Sequence, residues 1–191
     1  MDFESLYDPQ NVGSGVTSGI LFAPVAFFAG GGIKGAPIGS TSITDTHQFK
    51  VGKGFLKLNA APWKNKLNAD TLGGTGSQKF ATKLEFFLPG SYALLHAFLR
   101  NAKNTPGIFL IPDADNPNFL YQLGRPNSYA YFSAAFDTGT EREGQKGWKV
   151  TVEAYSGGLI DYAGAVTYFV DSGVVPNLNN SFPYTLPFTL I

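Results

Sequence analysis

Cysteine is missing from this chain of 191 residues. That excludes a disulfide framework, a thiolate nucleophile and a zinc site built on thiolates. Histidine occurs only twice, as His47 and His96. Two isolated histidines with no cysteine do not make a zinc set. Charge is also scarce, at 15%, where about 25% is usual for a soluble protein. A weakly charged surface suits a chain that is covered by partners. Fourteen basic residues balance fourteen acidic ones, which excludes a general polyanion binder. No apolar run is long enough for a bilayer: Ile20 to Ala29 is too short and is broken by Pro24. The opening Met-Asp-Phe-Glu-Ser is acidic, where a signal peptide carries positive charge. The expectation is a cytoplasmic product, or one exported without a conventional signal.

What is present is apolar residues, at 43% of the chain, enough for one folded domain with a core. Residues 1–46 are rich in Gly, Ser and Pro and read as an arm, or as a loose first strand with loops. Alternation begins near His47, where Phe49, Val51 and Phe55 share one parity. Residues 59–78 read as a long polar loop around Pro62-Trp63. The cleanest strand follows: Phe80, Thr82, Leu84, Phe86 and Leu88 face one way, and Ala81, Lys83 and Glu85 the other. Pro89-Gly90 ends it. Ser91 is placed to cap a helix over about 91–103, with Leu95, Phe98, Leu99 and Ala102 on one apolar side. Arg100 and Lys103 suit its C-terminal dipole, and Thr105-Pro106-Gly107 stops it.

Further strands are predicted over 107–112, 118–123, 128–136 and 147–155, with another near 162–170. The chain therefore divides into an N-terminal segment 1–46, a β domain 47–170 and a Pro-rich arm 171–191. The arm holds Pro176, Pro183 and Pro187, which forbid a central strand or a helix. Yet it is apolar, so it needs cover. The fold class is mainly β: an antiparallel sandwich or small barrel with one helix and extended arms.

The motifs that could carry chemistry dissolve on inspection. Asp113-Ala-Asp115-Asn-Pro-Asn118 starts like a calcium loop. A calcium loop needs an oxygen ligand at its fifth position, glycine at its sixth and glutamate at its twelfth; this chain has Pro117, Asn118 and Gly124 there. Asp, Asn and Pro are also the residues that build turns, and a turn is the favoured reading. Gly52-Lys53 lacks the spacing of a phosphate loop, and Gly30 to Gly35 precedes no helix pattern. His96 reads as structural, and neither Gly13-Ser14-Gly15 nor Gly39-Ser40 forms a nucleophile elbow. Glu141 and Glu143 read as a solvated hairpin tip rather than a glycosidase pair. No catalytic residue, cofactor or metal is expected. Between residues 47 and 83 lie Lys50, Lys53, Lys57, Lys64, Lys66, Lys79 and Lys83, against Asp70 alone. Without arginine, that stretch reads as a surface for an acidic protein neighbour, such as Asp2, Glu4 and Asp8 of another copy, at least as well as for nucleic acid.

The order of elements resembles the tail tube proteins of tailed bacteriophages. The matching pieces are Ile108–Ile111, the turn Asp113–Asn118, Leu123-Gly124, Asp137-Thr138-Gly139 and Trp148–Tyr155, within residues 43–170. The resemblance implies a non-enzymatic β-sandwich closed into sixfold rings. The rings stack into a hollow tube in the virion tail, assembled in the host cytoplasm. Its partners would be copies of itself, other tail proteins and passing DNA held without specific binding, and no membrane. The loop 59–78 would make the contact between rings. A conduit should not hold its cargo, so the lumen should be polar without net positive charge. Lys83, Glu85, Lys149, Thr151 and Glu153 are the candidate lumen face, with the lysines of 50–66 lying away from it. Trp63, Lys64, Lys66, Phe182, Tyr184 and Phe188 are the candidate contacts between subunits. The rival readings are a contractile injection or secretion tube, another head–tail or capsid decoration protein, and a carbohydrate-binding sandwich using Tyr129, Tyr131 and Asn127.

Overall fold

A run of apolar residues with no polar alternation forms a strand where both faces of its sheet are covered. Gly19–Pro24 (GILFAP) and Gly107–Pro112 (GIFLIP) are two such runs, and they lie side by side in the middle of a sheet. The computed structural model describes residues 15–169, apart from Trp63, Pro117 and residues 140–143. Among these, ten strands and one α-helix follow in order, with a short 3-10 turn at Val25–Phe27 after the first strand. They are β1 (Gly19–Pro24), β2 (Ser42–Ile43), β3 (Leu56–Asn59), β4 (Lys66–Leu72), β5 (Lys79–Pro89), α1 (Ala93–Ala102), β6 (Gly107–Pro112), β7 (Leu120–Leu123), β8 (Tyr131–Asp137), β9 (Gly147–Ser156) and β10 (Asp161–Tyr162). The protein is mainly β, with two sheets and a single helix in a sandwich-like arrangement.

One sheet has six strands in the order β2-β10-β7-β6-β1-β3, and the other has four in the order β4-β5-β9-β8. Every pairing is antiparallel except β10 with β2. Between the sheets lies the main core. Ile20, Phe22, Phe109 and Ile111 enter it from the six-stranded sheet, and Leu84, Phe86, Val150, Val152 and Phe132 from the four-stranded one. The alternate residues of β1 and β6, namely Leu21, Ala23, Ile108 and Leu110, face the opposite way into a second core. There they meet Phe28, Ile43, Phe55 and Tyr162, so loops cover the far side of the six-stranded sheet. This explains why β1 and β6 read as unbroken apolar runs.

Several boundaries move from the sequence expectation. β1 is a central strand, so the domain starts well before residue 47, and Gly19–Pro24 belongs to its core rather than to an arm. The stretch expected to be a long loop over 59–78 contains β4, which pairs with β5 from Lys66↔Glu85 to Leu72↔Lys79. Its sequence KLNADTL hides the strand because β4 is a sheet edge with little burial. In the strand expected near His47, regular pairing starts only at Leu56. Phe49 makes one isolated bridge to Phe28, and Gly52 turns the chain at φ +71°. The strand expected near 162–170 shrinks to Asp161–Tyr162. After it the chain crosses the sheet and bridges Tyr168 to Phe55 in parallel.

The helix starts at Ala93, and Ser91 does not cap it. Its hydroxyl meets His96 Nε2 at 3.0 Å instead. Leu95, Leu99 and Ala102 join the main core, as their spacing requires. Arg100 sits in the last turn as expected. The N-terminal residues 1–14, Trp63, Glu141, Glu143 and the arm 171–191 with Phe182, Tyr184 and Phe188 lie outside the described residues.

Candidate functional surface

The outward face of the four-stranded sheet follows from strand parity. In β5 and β9, Leu84, Phe86, Val150 and Val152 point into the core, so Lys83, Glu85, Lys149, Thr151 and Glu153 point out. The register adds their neighbours. Lys66 stands opposite Glu85 and Asn68 opposite Lys83. Lys83 stands opposite Glu153, and Glu85 opposite Thr151. Tyr131 faces Glu153, Ser133 faces Thr151 and Ala135 faces Lys149. All five residues expected on one polar face are therefore on one face.

The charges along the strands of this face balance, and Lys64 reaches its border over Phe87. Lys66, Lys79, Lys83 and Lys149 share it with Asp70, Glu85, Glu153 and Asp137. Lys83 Nζ lies 2.8 Å from Glu85 Oε1. The hydrogen bond and charge of Lys83 hold the Glu85 carboxyl below its usual range, and Glu85 in turn raises Lys83. Both groups are open to solvent, so the pair contributes little to stability. Its effect is local neutrality.

Lys66 corrects the expectation that the lysines of 50–66 avoid this face, because its register with Glu85 puts it there. Three other lysines occupy two places. Lys50 Nζ donates to the Ala26 carbonyl at 2.9 Å. Lys53 lies over the rings of Phe27 and Phe169, 5.1 and 5.3 Å from their centroids. Lys64 lies over Phe87 at 5.2 Å. The stretch therefore divides: Lys64 joins Lys66, Lys79 and Lys83 on the outward face, because Phe87 shares their parity, while Lys50 and Lys53 gather beside Ala26 and Phe27.

β4 and β8 are the two edges of this sheet, seven residues each. Leu72, Tyr131 and Phe136 on them are exposed. Among the described residues neither edge is paired further, and regular edges of this length are templates for another strand. The carbohydrate reading loses its aromatic platform here. Tyr129 packs against the second core, whereas Tyr131 sits on the outward face of the other sheet. Asn127 occupies a turn at φ +63°.

The remaining motifs are structural in their geometry. Asp113 Oδ1 accepts the backbone N–H groups of Asp115 and Asn116 at 2.9 and 3.2 Å. Tyr121 donates its hydroxyl proton to Asp113 Oδ2 at 3.1 Å. The carboxylate thus holds its own turn. Replacing Asp113 and Asp115 together with Asn is expected to cost about 1 kcal/mol or less. Thermal melting with and without calcium checks this: a calcium-dependent rise in the wild type, lost in the double variant, would restore the metal reading. Ser91 and His96 touch, but His96 is otherwise flanked by the rings of Phe136 and Trp148. Among the described residues no carboxylate bonds to it, and no cluster of three metal-ligating side chains occurs.

Sequence reasoning missed one buried polar network. His47 Nδ1 accepts the Lys34 N–H at 3.0 Å, which leaves the ring proton on Nε2, facing Gln122 Oε1 at 3.0 Å. Gln122 Nε2 donates to the carbonyls of Lys34 and Gly124. The imidazole stacks on Tyr162 with centroids 4.7 Å apart. Gln122, a lone amide in an apolar strand, was the available signal. Its partners come from distant segments, so the signal named no function. The network is closed and buried, and it supports the cover of the six-stranded sheet.

No described helix is long and apolar enough to cross a membrane. No protein-family model, curated protein or solved structure matches this chain.

Proposed function

We propose that this protein is a structural, non-enzymatic subunit that self-assembles into a hollow tube, as the tail tube proteins of bacteriophages do. The observation that carries the reading is the outward face of the four-stranded sheet, rich in polar groups with nearly balanced charge, whose edges β4 and β8 pair with no other strand among the described residues. Edge-to-edge joining of β4 to the β8 of a neighbour satisfies both rows of backbone groups. Six copies closed in this way give a barrel of about 24 strands, and barrels of 16–18 strands already enclose an aqueous channel. Neutrality then serves a conduit, since a net positive lumen would release counterions from DNA and hold it. Lys66 is compatible with that lumen because Glu85 and Asp70 offset it on the same face. By the same resemblance, the tube belongs to a virion tail and meets other tail proteins.

Negative-stain microscopy of the purified chain tests the reading. Rings or tubes with an open centre are expected, and a chain that stays monomeric at high concentration overturns it. A second measurement tests the lumen. Glu85→Lys with Glu153→Lys removes two acids and adds two cations. Assemblies of that variant should retain duplex DNA, with affinity falling steeply as salt rises. Wild-type assemblies should not. Equal retention by both would remove the argument from charge balance.

A further inference from the structure

The two edges of the four-stranded sheet match each other. β4 and β8 are both seven residues long, and among the described residues neither pairs with a further strand. They run in opposite directions, because each of the three ladders between them is antiparallel. Copies related by rotation about an axis along the strands therefore meet β8 to β4 in antiparallel order. Outward on β4 are Lys66, Asn68, Asp70 and Leu72, and outward on β8 are Tyr131, Ser133, Ala135 and Asp137. When all seven residues of each edge pair, Lys66 meets Asp137, Asn68 meets Ala135, Asp70 meets Ser133 and Leu72 meets Tyr131. On the inward side Leu67 meets Phe136. Leu72, Tyr131 and Phe136 are exposed within one copy, and each finds an apolar neighbour here. Opposite charges and apolar pairs are the contacts that stabilise adjacent strands. A slip of two residues separates Lys66 from Asp137 and Leu72 from Tyr131. A slip of one sets the polar face of one copy against the core face of the next.

The same register sets the tilt of the strands in a closed ring. Lys66 stands opposite Glu85, Glu85 opposite Thr151, and Thr151 opposite Ser133. Ser133 then stands opposite Asp70 of the next copy. Four strands thus advance the position from residue 66 to residue 70, one residue per strand. That is the stagger of the eight-stranded barrel of shear 8, whose strands tilt by about 36°. Closed barrels in general tilt by about 35–45°. With a rise of about 3.4 Å per residue and a strand spacing of about 4.8 Å, slips of two residues give tilts of about 20° or 47° instead. The hand agrees as well. The Gly90 N–H donates to the Lys146 carbonyl at 2.9 Å, in line with the β5–β9 ladder, so even-numbered residues of β5 direct their backbone groups to β9. For L-residues this places β5 to the right of an upward β4, seen from the polar face. The stagger then coils the strands right-handedly with the polar face inside, as the twist of β-sheets requires. With that face outside the coil would be left-handed.

We propose that β4 of one copy pairs with β8 of the next in this register, Lys66 against Asp137 and Leu72 against Tyr131. The inference rests on the tube reading and specifies the joint between its subunits. It accounts for a lysine at the border of the lumen face: Lys66 is held between Glu85 of its own β5 and Asp137 of the neighbouring copy. The joint is heterologous, so a pair of copies leaves one β4 and one β8 unfilled, and a ring satisfies both.

The absence of cysteine makes the test direct. Full-length Asn68→Cys and full-length Ala135→Cys are mixed, assembled and oxidised. Even-numbered residues of β4 direct their backbone groups to β5, so Asn68 and Ala135 form a pair without hydrogen bonds at the joint. The Cα atoms of such a pair lie about 4.5 Å apart, within reach of a disulfide. Within one chain, β5 and β9 hold the two strands three spacings of about 4.8 Å apart, so any bond joins two copies. A dimer of one chain of each kind is expected. It should be about tenfold more abundant than with Ser133→Cys or Asp137→Cys in place of Ala135→Cys, because those diagonal partners lie about 7–8 Å away. A stronger cross-link to either of those positions overturns the register. So does Asn68→Cys linking to itself, which would pair β4 with β4, and so does the lack of any cross-link. Charge exchange gives a second readout. Lys66→Asp or Asp137→Lys alone should raise the concentration needed for assembly severalfold, and the two together should restore it; no restoration overturns the pairing. Wild-type tubes without the Asn68–Ala135 link sink the register alone, whereas a monomeric wild type sinks the tube reading with it.

Discussion

Phe22→Ala lowers the free energy of unfolding by about 3–5 kcal/mol, the cost of deleting a large aromatic side chain from a packed core. Phe22 is fully buried. Its ring centroid lies 4.7 Å from that of Phe109, 5.7 Å from Phe132 and 6.2 Å from Phe98. Those rings come from β6, β8 and α1, so one cavity loosens both sheets and the helix. The space is tight already: a Cβ on Gly107 would collide with the Phe22 ring. Total stabilities are about 5–15 kcal/mol, so the variant would be marginal. Chemical denaturation measures this as a lower midpoint. A loss near that of a surface substitution would mean that the two sheets do not share this core.

His47→Leu is the second large effect, at about 2–4 kcal/mol. It leaves Gln122 Oε1 and the Lys34 N–H buried without their partners, and each orphaned group costs about 1–3 kcal/mol. The same network gives wild type a dependence on pH. Burial is the main reason the His47 pKa lies below its ordinary value of 6.5, and nearby Lys34 adds to it, while the hydrogen bond to Gln122 opposes. Well above pH 6.5 the imidazole is neutral in both states, and this part of the stability is complete. Below that, the unfolded chain takes up a proton that the folded chain resists. Stability therefore falls as the solution is acidified, until the folded imidazole titrates as well. Protonation would put a hydrogen on Nδ1 and break its bond from the Lys34 N–H. Melting temperatures of wild type and His47→Leu across mildly acidic pH isolate the effect: the wild-type slope should be the steeper. Parallel curves would mean that His47 is not buried as a neutral acceptor.

Sequence periodicity was most informative where a strand has one wet face and one dry face. β5 and β9 were legible almost residue by residue, because alternation fixes which side chains enter the core. The helix was legible from Leu95, Phe98, Leu99 and Ala102, although not its cap, because Ser91 turned to a histidine one turn on. β1 reads in the sequence as part of an arm or as a loose first strand, since a strand buried on both faces shows no alternation and lies in Gly- and Pro-rich surroundings. β4 was read as a loop for the opposite reason. An edge strand with almost no buried face carries no apolar period, and only its ladder to β5 makes it a strand.

The candidate surface divides in the same way. By itself the sequence determined the fold class, the outward direction of Lys83, Glu85, Lys149, Thr151 and Glu153, and the lack of a calcium-loop spacing at Asp113. Those are consequences of period, residue type and count along one stretch of chain. Only the tertiary structure decided that Lys66 and Lys64 meet that face, that Lys50 and Lys53 gather at Ala26 and Phe27, and that His47, Gln122 and Tyr162 form one network. Each of these depends on register or contact between segments far apart in sequence, and no local pattern encodes which distant partner a side chain will meet.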